Sequence, residues 1–322
     1  MQMFLRSIAV FLVFIFPQVA YCQAMDNTTV ERTVNRERYA RVHYENDFYT
    51  KTDYYYTQGM FVEIVHPGLK WFPLMRLILK PKQSEIKYGL ALEHNGYTPM
   101  DFVQSEIQYG DRPFAATVML KTFAIATDTT HKRRIGTTLS TGIIGPEAGG
   151  GEIQTAIHRK TGDDLPLGWH NQIANYPVLN YQVNLEQQVV ALGSFALLTA
   201  NVSARVGTLS DKVSAGGTLM AGFFNQPITP VSTQKRKIQL YGYIHPEVSL
   251  VGYDATMQGG FFRSNPYTIP PGDIKRVVYQ HHAGVVVTLF NLYAEYFTSW
   301  TSSEFKDGKT HGTGGVKIGC YF

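Results

Sequence analysis

Much of the chain after its first two dozen residues alternates apolar and polar residues with a period of two. Every second residue from Leu198 to Val206 is apolar, and the residues between them, from Thr199 to Arg205, are polar. The end of the chain repeats the pattern, because every second residue from Val316 to Phe322 is apolar or a cysteine. Successive side chains of a strand point to opposite faces, so this period predicts half-buried β-strands.

We predict twelve such strands, an even number as bacterial outer-membrane barrels require. They cover residues 38–47, 56–66, 84–94, 113–126, 133–145, 177–189, 193–207, 213–224, 236–251, 275–288, 291–302 and 313–322. A soluble β-sandwich shows the same alternation with its apolar face turned inward. The period alone therefore leaves a membrane barrel and a sandwich open.

The N-terminus carries the features of a secretory signal. Arg6 supplies a positive charge, residues Ile8–Phe16 are apolar, and a small-residue cleavage site follows at Ala24. The apolar stretch is shorter than the roughly 20 residues that a membrane-spanning helix needs. We therefore predict a signal peptide over residues 1–24 and one barrel domain over residues 25–322. Cleavage removes Cys22, and Cys320 is then expected to be a small apolar residue on a strand.

Export and composition together favour the membrane barrel. The chain contains 20 Tyr, 19 Phe and 29 Gly, which suits short alternating strands between aromatic girdles. A terminal phenylalanine on an apolar strand face, here Phe322, is typical of outer-membrane barrels. The net charge of +4 gives no indication of nucleic-acid binding. We predict an all-β protein of the bacterial outer membrane: a 12-stranded antiparallel transmembrane β-barrel with a short helical segment in a long extracellular loop.

The strand count decides the side of each connection when both termini lie in the periplasm. Connections after odd-numbered strands then face outside, and the longest covers residues 145–176, with helix predicted near residues 152–160. On the periplasmic side, residues 67–83 are apolar and basic, which indicates an amphipathic interfacial segment. The three tryptophans are expected to anchor at the membrane interface: Trp71, Trp169 and Trp300.

Carboxylate, amide and hydroxyl groups cluster at the predicted outer end of the first hairpin. The cluster contains Glu45, Asn46, Asp47, Thr52, Asp53 and Thr57. Oxygen atoms of these kinds bind hard cations such as calcium. No spaced calcium-loop pattern is present, so a merely solvated loop tip stays open as the alternative.

The long outer loop contains a histidine on its predicted helix. Gln154 and His158 are four residues apart, so they share one face of a helix. Histidine titrates near neutral pH and is the most frequent general base of hydrolases. The alternative reading of His158 is a titrating surface residue without a catalytic role.

Several short runs, in order along nearly the whole chain, resemble the outer-membrane lipid A 3-O-deacylases. The run from Gly145 to His158 is the most specific of them. The matching pieces are Glu45–Asp47, Tyr56–Gly59, Gly110–Phe114, Ile143–Gly150, Gln154, His158–Arg159, Gly162, Trp169–Ile173 and Thr301–Phe305.

The resemblance implies both the fold and an activity. Members of that family form 12-stranded barrels, depend on calcium and remove an acyloxyacyl group from the 3′ position of lipid A in the outer leaflet. By this resemblance His158 activates water, with Gln154 assisting from the same helix.

The resemblance also implies a metal and oxyanion site. Asn46, Asp47 and Thr57 match its residues on the barrel, and Asn46 and Asp47 are expected to bind Ca²⁺. The family has a further carboxylate a few residues after the histidine, and Asp164 matches it here. Family members can carry the longer Glu at that position, so the shorter side chain of Asp164 reaches less far.

Charge alone suggests which residues hold the phosphates of lipid A. Arg112, Arg159 and Lys160 are the candidates, because guanidinium and ammonium groups pair with phosphate. The expected partners are lipid A or lipopolysaccharide as substrate and outer-membrane lipids, with no nucleic acid, and the protein is expected to be a monomer.

Two other functions are open from the sequence. An outer-membrane phospholipase is the first, but it uses a Ser–His pair, and the chain has no G-x-S-x-G motif. A non-catalytic barrel, such as a porin or an adhesin, is the second.

Overall fold

The computed structural model of the protein describes residues 36–50, 54–81, 84–233, 236–261 and 263–322. The predicted signal peptide, residues 1–24, lies outside the described residues. So do Thr52 and Asp53 of the predicted outer-rim cluster.

Twelve antiparallel strands form one closed barrel in which each strand pairs with its neighbours in sequence and β1 pairs with β12. The strands are β1 (Tyr39–Asn46), β2 (Tyr55–Val65), β3 (Glu85–Thr98), β4 (Ala115–Asp128), β5 (Arg133–Ile144), β6 (Tyr176–Leu192), β7 (Ala196–Gly207), β8 (Ser210–Phe223), β9 (Ile238–Asp254), β10 (Val277–Leu289), β11 (Leu292–Thr301) and β12 (His311–Tyr321). The predicted fold class is confirmed. The largest boundary difference is at the end of β3, predicted at residue 94 and observed at Thr98.

Helices occur only between strands in the described ranges. The α-helices are α1 (Gly150–Thr161) and α2 (Ala255–Gln258). Single turns of 3₁₀ helix cover Asp47–Thr50, Pro67–Trp71, Pro73–Arg76, Pro146–Ala148, Trp169–Asn171, Val231–Thr233 and Pro271–Asp273. None of the helices in these ranges is long and apolar enough to cross a membrane.

The apolar face of the strands points away from the barrel axis. On β7, Val202 is 50% exposed, whereas the preceding residue, Asn201, is 3% exposed. On β12, Ile318 is exposed and Lys317 is buried. A sandwich would bury the apolar face, so this outward orientation is that of a barrel surrounded by lipid.

The interior of the barrel contains charged side chains that pair across neighbouring strands. The pairs are Arg41–Glu63 at 2.8 Å, Lys121–Glu93 at 2.8 Å, Arg134–Glu186 at 2.6 Å and Lys317–Glu295 at 2.9 Å. Removing one partner of such a pair leaves a buried charge uncompensated, which costs about 3–5 kcal/mol. These pairs identify the inward face of the eight strands that carry them.

Aromatic side chains close the interior near the start of β1 and the end of β12. Tyr39, Phe61, Phe123 and Tyr293 belong to one buried cluster, although they come from β1, β2, β4 and β11. Because these strands lie on different parts of the wall, the cluster fills the barrel at this level.

Antiparallel strands place alternate connections at opposite ends of the barrel. The end that carries the connection 145–175 is called the outer rim, since outer-membrane barrels have their longer loops outside. The outer rim also carries the connections 47–54, 99–114, 255–276 and 302–310. The other end, the inner rim, carries the start of β1 and the end of β12.

Candidate active site

Helix α1 packs on the outside of the barrel wall, at the outer rim. Ala116 lies five residues before the inward-facing Lys121, so its side chain points outward, yet it is fully buried. A Cβ added to Gly150, in the first turn of α1, would lie 2.5 Å from the Ala116 Cβ and 2.6 Å from the Trp169 ring. Glycine is therefore what allows the helix to approach the wall so closely.

A β-bulge on β2 faces this helix. Tyr56 pairs with Tyr97, and Gln58 pairs with Gly96, so Thr57 is an extra residue in β2. Bulges re-aim side chains and are frequent beside active sites. Here the Thr57 hydroxyl accepts a hydrogen bond from Gln154 Nε2 of α1 at 3.1 Å.

The amide of Gln154 is held at both ends. Its Oε1 accepts a hydrogen bond of 2.7 Å from the indole Nε1 of Trp169, and the side chain is buried. An indole nitrogen only donates, so the amide oxygen must face Trp169 and the amide nitrogen must face Thr57. The second N–H of Gln154 is fixed in direction by the same two bonds.

The end of β1 joins the bulge from the other side. Asn46 Nδ2 donates to the Thr57 carbonyl at 2.5 Å, and Asn46 Oδ1 accepts from the Phe48 N–H at 2.7 Å. Asp47 follows directly and is buried. Residues from β1, β2 and α1 thus form one connected group on the outer rim.

His158 lies one helical turn beyond Gln154 and is half-buried. Its Nδ1 is 2.5 Å from the backbone carbonyl of Asp164, and its ring packs edge-on against Phe102 with centroids 5.3 Å apart. A carbonyl oxygen only accepts, so Nδ1 carries the proton of the neutral ring. Nε2 then presents a lone pair, as a general base requires.

The end of α1 positions this carbonyl. Gly162 adopts φ = +83° and its N–H bonds to the His158 carbonyl at 2.8 Å. The left-handed residue reverses the chain directly after the helix, a frequent helix ending. Asp164 consequently returns toward the imidazole of His158.

Comparisons with known proteins identify the family of the chain. A family model described as “Outer membrane protein LpxR” matches residues 7–322. The chain belongs to this family. The outer-membrane location predicted from the sequence and the family resemblance are both confirmed.

Solved structures agree with the LpxR-family fold. LpxR from Salmonella typhimurium is 20% identical, covers 88% of this chain and 100% of its own, and superposes with a TM-score of 0.72. At that identity the match shows the fold alone. Two other structures match with a TM-score of 0.45, which is too low to support a conclusion. One is the β domain of the Bordetella autotransporter BrkA, which is 9% identical and covers 89% of this chain and 99% of its own. The other is the COG4313 outer membrane channel from Pseudomonas putida F1, which is 11% identical and covers 90% of this chain and 97% of its own. A comparison with curated proteins gave no match.

The basic residues expected to hold phosphate lie in two different environments of this LpxR-family barrel. Arg159 and Lys160 are exposed in the last turn of α1. Arg112 is buried, with Nη1 2.6 Å from Glu304 Oε2 and its guanidinium 4.4 Å from the ring centre of Tyr97. Burial and the carboxylate partner put Arg112 out of reach of a phosphate at the surface, contrary to the expectation from charge alone.

Two of the aromatic residues around the site were not predicted from the sequence. Trp169 was expected at the membrane interface, but it is buried beneath α1 and binds Gln154. Phe102 comes from the connection between β3 and β4. Neither residue follows a local pattern with Gln154 or His158, so only the folded loops bring them together.

The end of β1 carries oxygen donors of the kinds that calcium accepts. Within the ranges that the structure describes, no three His, Cys, Asp or Glu side chains are grouped as ligands of one ion. The carboxylate of Asp47 is buried and follows Asn46 in sequence, and the amide of Asn46 binds the Thr57 carbonyl. Calcium accepts carboxylate and neutral oxygen donors together. The carboxylate of Asp164 is exposed, whereas its carbonyl binds His158.

Proposed function

We propose that the protein is a calcium-dependent hydrolase that removes the 3′-acyloxyacyl group from lipid A, with His158 as the general base. The observation that carries this proposal is the convergence of β1, β2 and α1 on the outer surface of the wall. There the Asn46–Thr57–Gln154 chain of hydrogen bonds ends one helical turn from His158.

The position of the site suits a substrate that stays in the membrane. The group lies outside the barrel wall, and Phe48 beside it is strongly exposed. The ring of Tyr49 contacts that of Tyr296 on the lipid-facing side of β11, with centroids 6.4 Å apart. An ester at the membrane surface can therefore reach His158 while its acyl chains remain among lipid.

The proposed reaction is hydrolysis of an ester by water. A water oxygen attacks the acyl carbonyl carbon while Nε2 of His158 takes one of its protons. The bond between the acyl carbon and the 3′ oxygen of the sugar then breaks, and the same proton passes from His158 to that departing oxygen. The products are a free acyloxyacyl acid and a sugar hydroxyl. General base catalysis of this kind contributes typically about 10²–10⁴-fold to a rate.

The oxyanion that develops in this reaction needs donors and positive charge. The Thr57 hydroxyl and the second N–H of Gln154 are the donors that we assign to it. Asp47, Asn46 and Asp164 would hold the calcium ion, which supplies positive charge at the ester oxygen when bound. Few carboxylates are present, so we expect weak binding of calcium.

The exposed end of α1 suits the phosphate groups of lipid A. Arg159 and Lys160 follow His158 directly, and both side chains are exposed. Their charges therefore lie near the base without being consumed in buried ion pairs. We assign them to substrate binding on this ground.

A transport function is less well supported. The aromatic cluster around Phe61 and Phe123 fills the barrel interior, together with the paired charges of the wall. An open pore would need a continuous aqueous path through this level. The residues that we propose for catalysis lie instead on the outer surface of the wall.

The test is lipid A mass spectrometry with the full-length protein in mixed micelles. We expect loss of one acyloxyacyl group from the 3′ position with calcium and little reaction after chelation. His158→Ala should lower the rate by at least about 10²-fold while the barrel still folds. His170→Ala is the matched control, since His170 lies in the same loop and also contacts a carbonyl, that of Leu167 at 3.1 Å. Unchanged lipid A with wild-type protein, or release of fatty acid from phospholipid alone, would refute the proposal.

A further inference from the structure

The connection from β2 to β3 forms a structured segment at the inner rim. Residues 66–81, called the collar, contain the 3₁₀ turns Pro67–Trp71 and Pro73–Arg76. The ring of His66 caps the first turn by accepting the Gly68 N–H at 3.0 Å. The same ring stacks on Phe322, with centroids 6.4 Å apart. The collar therefore starts beside the C-terminus of the chain.

The collar lies against the outside of the barrel. Met75, which is 0% exposed, and Ile78 pack against Ala124 of β4 and Leu139 of β5. Ala124 is three residues after the inward-facing Lys121, so it points outward. By the same parity Leu139, five residues after the inward-facing Arg134, also points outward.

A tyrosine on β6 holds the collar to the wall. The Tyr181 hydroxyl donates to the Leu77 carbonyl at 3.0 Å and accepts from the Leu79 N–H at 3.0 Å. These bonds satisfy a backbone C=O and a backbone N–H that follow the second 3₁₀ turn. Backbone groups without a hydrogen-bond partner are costly to place in an apolar environment. The collar is thereby a fixed part of the lipid-facing surface.

The other side of the collar is apolar and uncovered. Trp71 is 81% exposed and Leu77 is 61% exposed, and Leu79 is exposed as well. These side chains continue the apolar belt of the strands, in which Leu92 and Leu185 are also exposed. Large exposed apolar patches mark contact surfaces, and here the adjoining surface is lipid.

Positive charge accompanies this apolar side. Lys70, Arg76 and Lys80 lie in the collar, and residues 66–81 contain no Asp or Glu. The Lys70 ammonium lies over the Trp71 ring, 5.1 Å from its centre. Lysine and arginine beside tryptophan and leucine are the side chains that interact with headgroups and acyl chains at the edge of a bilayer.

We propose that the collar is a binding site for anionic phospholipid headgroups of the inner leaflet. Lys70 and Arg76 bind the phosphates, while Trp71, Leu77 and Leu79 contact the acyl chains. Charge complementarity and continuity with the lipid-facing belt select lipid over protein as the occupant. The inner rim selects the inner leaflet, so this site is separate from the proposed lipid A site at the outer rim.

Tryptophan quenching in reconstituted vesicles tests the site. Full-length protein is placed in vesicles that contain dibrominated phosphatidylglycerol or dibrominated phosphatidylcholine. The signal of Trp71 is the difference between the protein and its Trp71→Phe variant, which leaves Trp169 and Trp300 in place. We expect stronger quenching by the anionic lipid. Lys70→Gln/Arg76→Gln should lower the preference by up to about 25-fold, since each basic residue near an anionic surface contributes about fivefold.

The control removes the same charge from another inner-rim connection. Arg236→Gln/Lys237→Gln neutralises two exposed residues between β8 and β9, and the preference should be unchanged. Equal quenching of Trp71 by both lipids would overturn the proposal, as would an equal loss in the control. Absence of quenching by either lipid would mean that a second copy or another protein covers the collar, and would overturn it too.

Discussion

Gln154 Nε2 donates a 3.1 Å hydrogen bond to Thr57 Oγ1, which joins helix α1 to the bulge of β2 across 97 positions of sequence. The bond connects the loop that carries the proposed base to the strand that carries the proposed oxyanion donor. Both side chains are buried, so water has little access to this bond. The relative position of base and donor therefore depends on this contact.

Replacing Thr57 by valine should damage catalysis more than stability. Valine keeps the shape of threonine but removes the hydroxyl, so Gln154 loses its acceptor and the oxyanion loses a donor. Loss of one oxyanion-hole donor costs about 10²–10³-fold in kcat. We expect a decrease of about 10²-fold in kcat for lipid A deacylation, with a smaller change in KM.

Two further variants separate this role from a packing effect. Thr57→Ser restores a hydroxyl and should recover most of the activity. Thr298→Val removes a hydroxyl from β11, away from α1, and should have no effect on kcat. If Thr57→Val and Thr57→Ser were equally active, the hydroxyl would have no part in the reaction.

Asp164 offers two groups that a single substitution distinguishes. Its carbonyl accepts the His158 Nδ1–H, and Asp164→Asn leaves that carbonyl in place. The substitution removes the carboxylate that we assign to calcium. We expect the calcium concentration for half-maximal activity to rise severalfold, because affinity depends on the charge of the ligand set.

At saturating calcium the Asp164→Asn variant should regain a kcat near that of the wild type. Calcium titrations of deacylase activity supply both numbers. An unchanged calcium requirement would restrict Asp164 to positioning His158 through its backbone.

The strands could be predicted from the sequence because their signal is local. Alternation on β7 and β12 depends only on which side of the wall each residue faces, and lipid imposes that choice along the whole chain. The contact between Gln154 and Thr57 has no such signal. It depends on a one-residue bulge and on the path of the loop 145–175, neither of which changes the alternation.

Long-range pairing determines the surroundings of two further residues. Arg112 was assigned to phosphate by charge, yet it pairs with Glu304, 192 residues later. Trp169 was likewise expected at the interface by residue type, but the loop folds it beneath α1. Side-chain chemistry indicates what a residue can bind, and only the closed barrel shows which partner is within reach.

The approach of α1 to the wall should depend on glycine at position 150. The Cβ of Gly150→Ala would lie 2.5 Å from Ala116 Cβ and 2.6 Å from Trp169, so the helix must move outward. Overpacking of this kind costs typically about 1–3 kcal/mol. We expect a large loss of deacylase activity and faster proteolysis of the loop 145–175, with the barrel itself intact.

A second glycine serves as the control for this substitution. Gly272→Ala places its Cβ where no atom lies within 4 Å, in another connection of the outer rim. Its activity and proteolysis should equal those of the wild type. Normal activity of Gly150→Ala would mean that the contact with Ala116 does not determine the position of α1.

The buried pair of Arg112 and Glu304 should make stability depend on pH. Both residues lie in outer-rim connections, and Arg112 Nη2 also donates to Thr256 Oγ1 at 2.5 Å. Burial raises the pKa of Glu304 from 4.5 to about 8, although the guanidinium of Arg112 acts in the opposite direction. The folded protein then binds this proton more tightly than the unfolded chain does.

A carboxyl with a raised pKa stabilises the folded state most at low pH. Its contribution is complete below pH 4.5 and is lost as the pH rises to about 8, with a slope of at most about 1.4 kcal/mol per pH unit. Glu304→Gln keeps a hydrogen-bond acceptor for Arg112 but has no proton to lose, so its free energy of unfolding should lack this slope. Urea unfolding in lipid vesicles between pH 5 and 8 measures the difference.

Glu106→Gln, at an exposed carboxylate of the connection 99–114, should keep the wild-type slope. Equal slopes in the wild type and Glu304→Gln would show that Glu304 has the same pKa in the folded and unfolded protein.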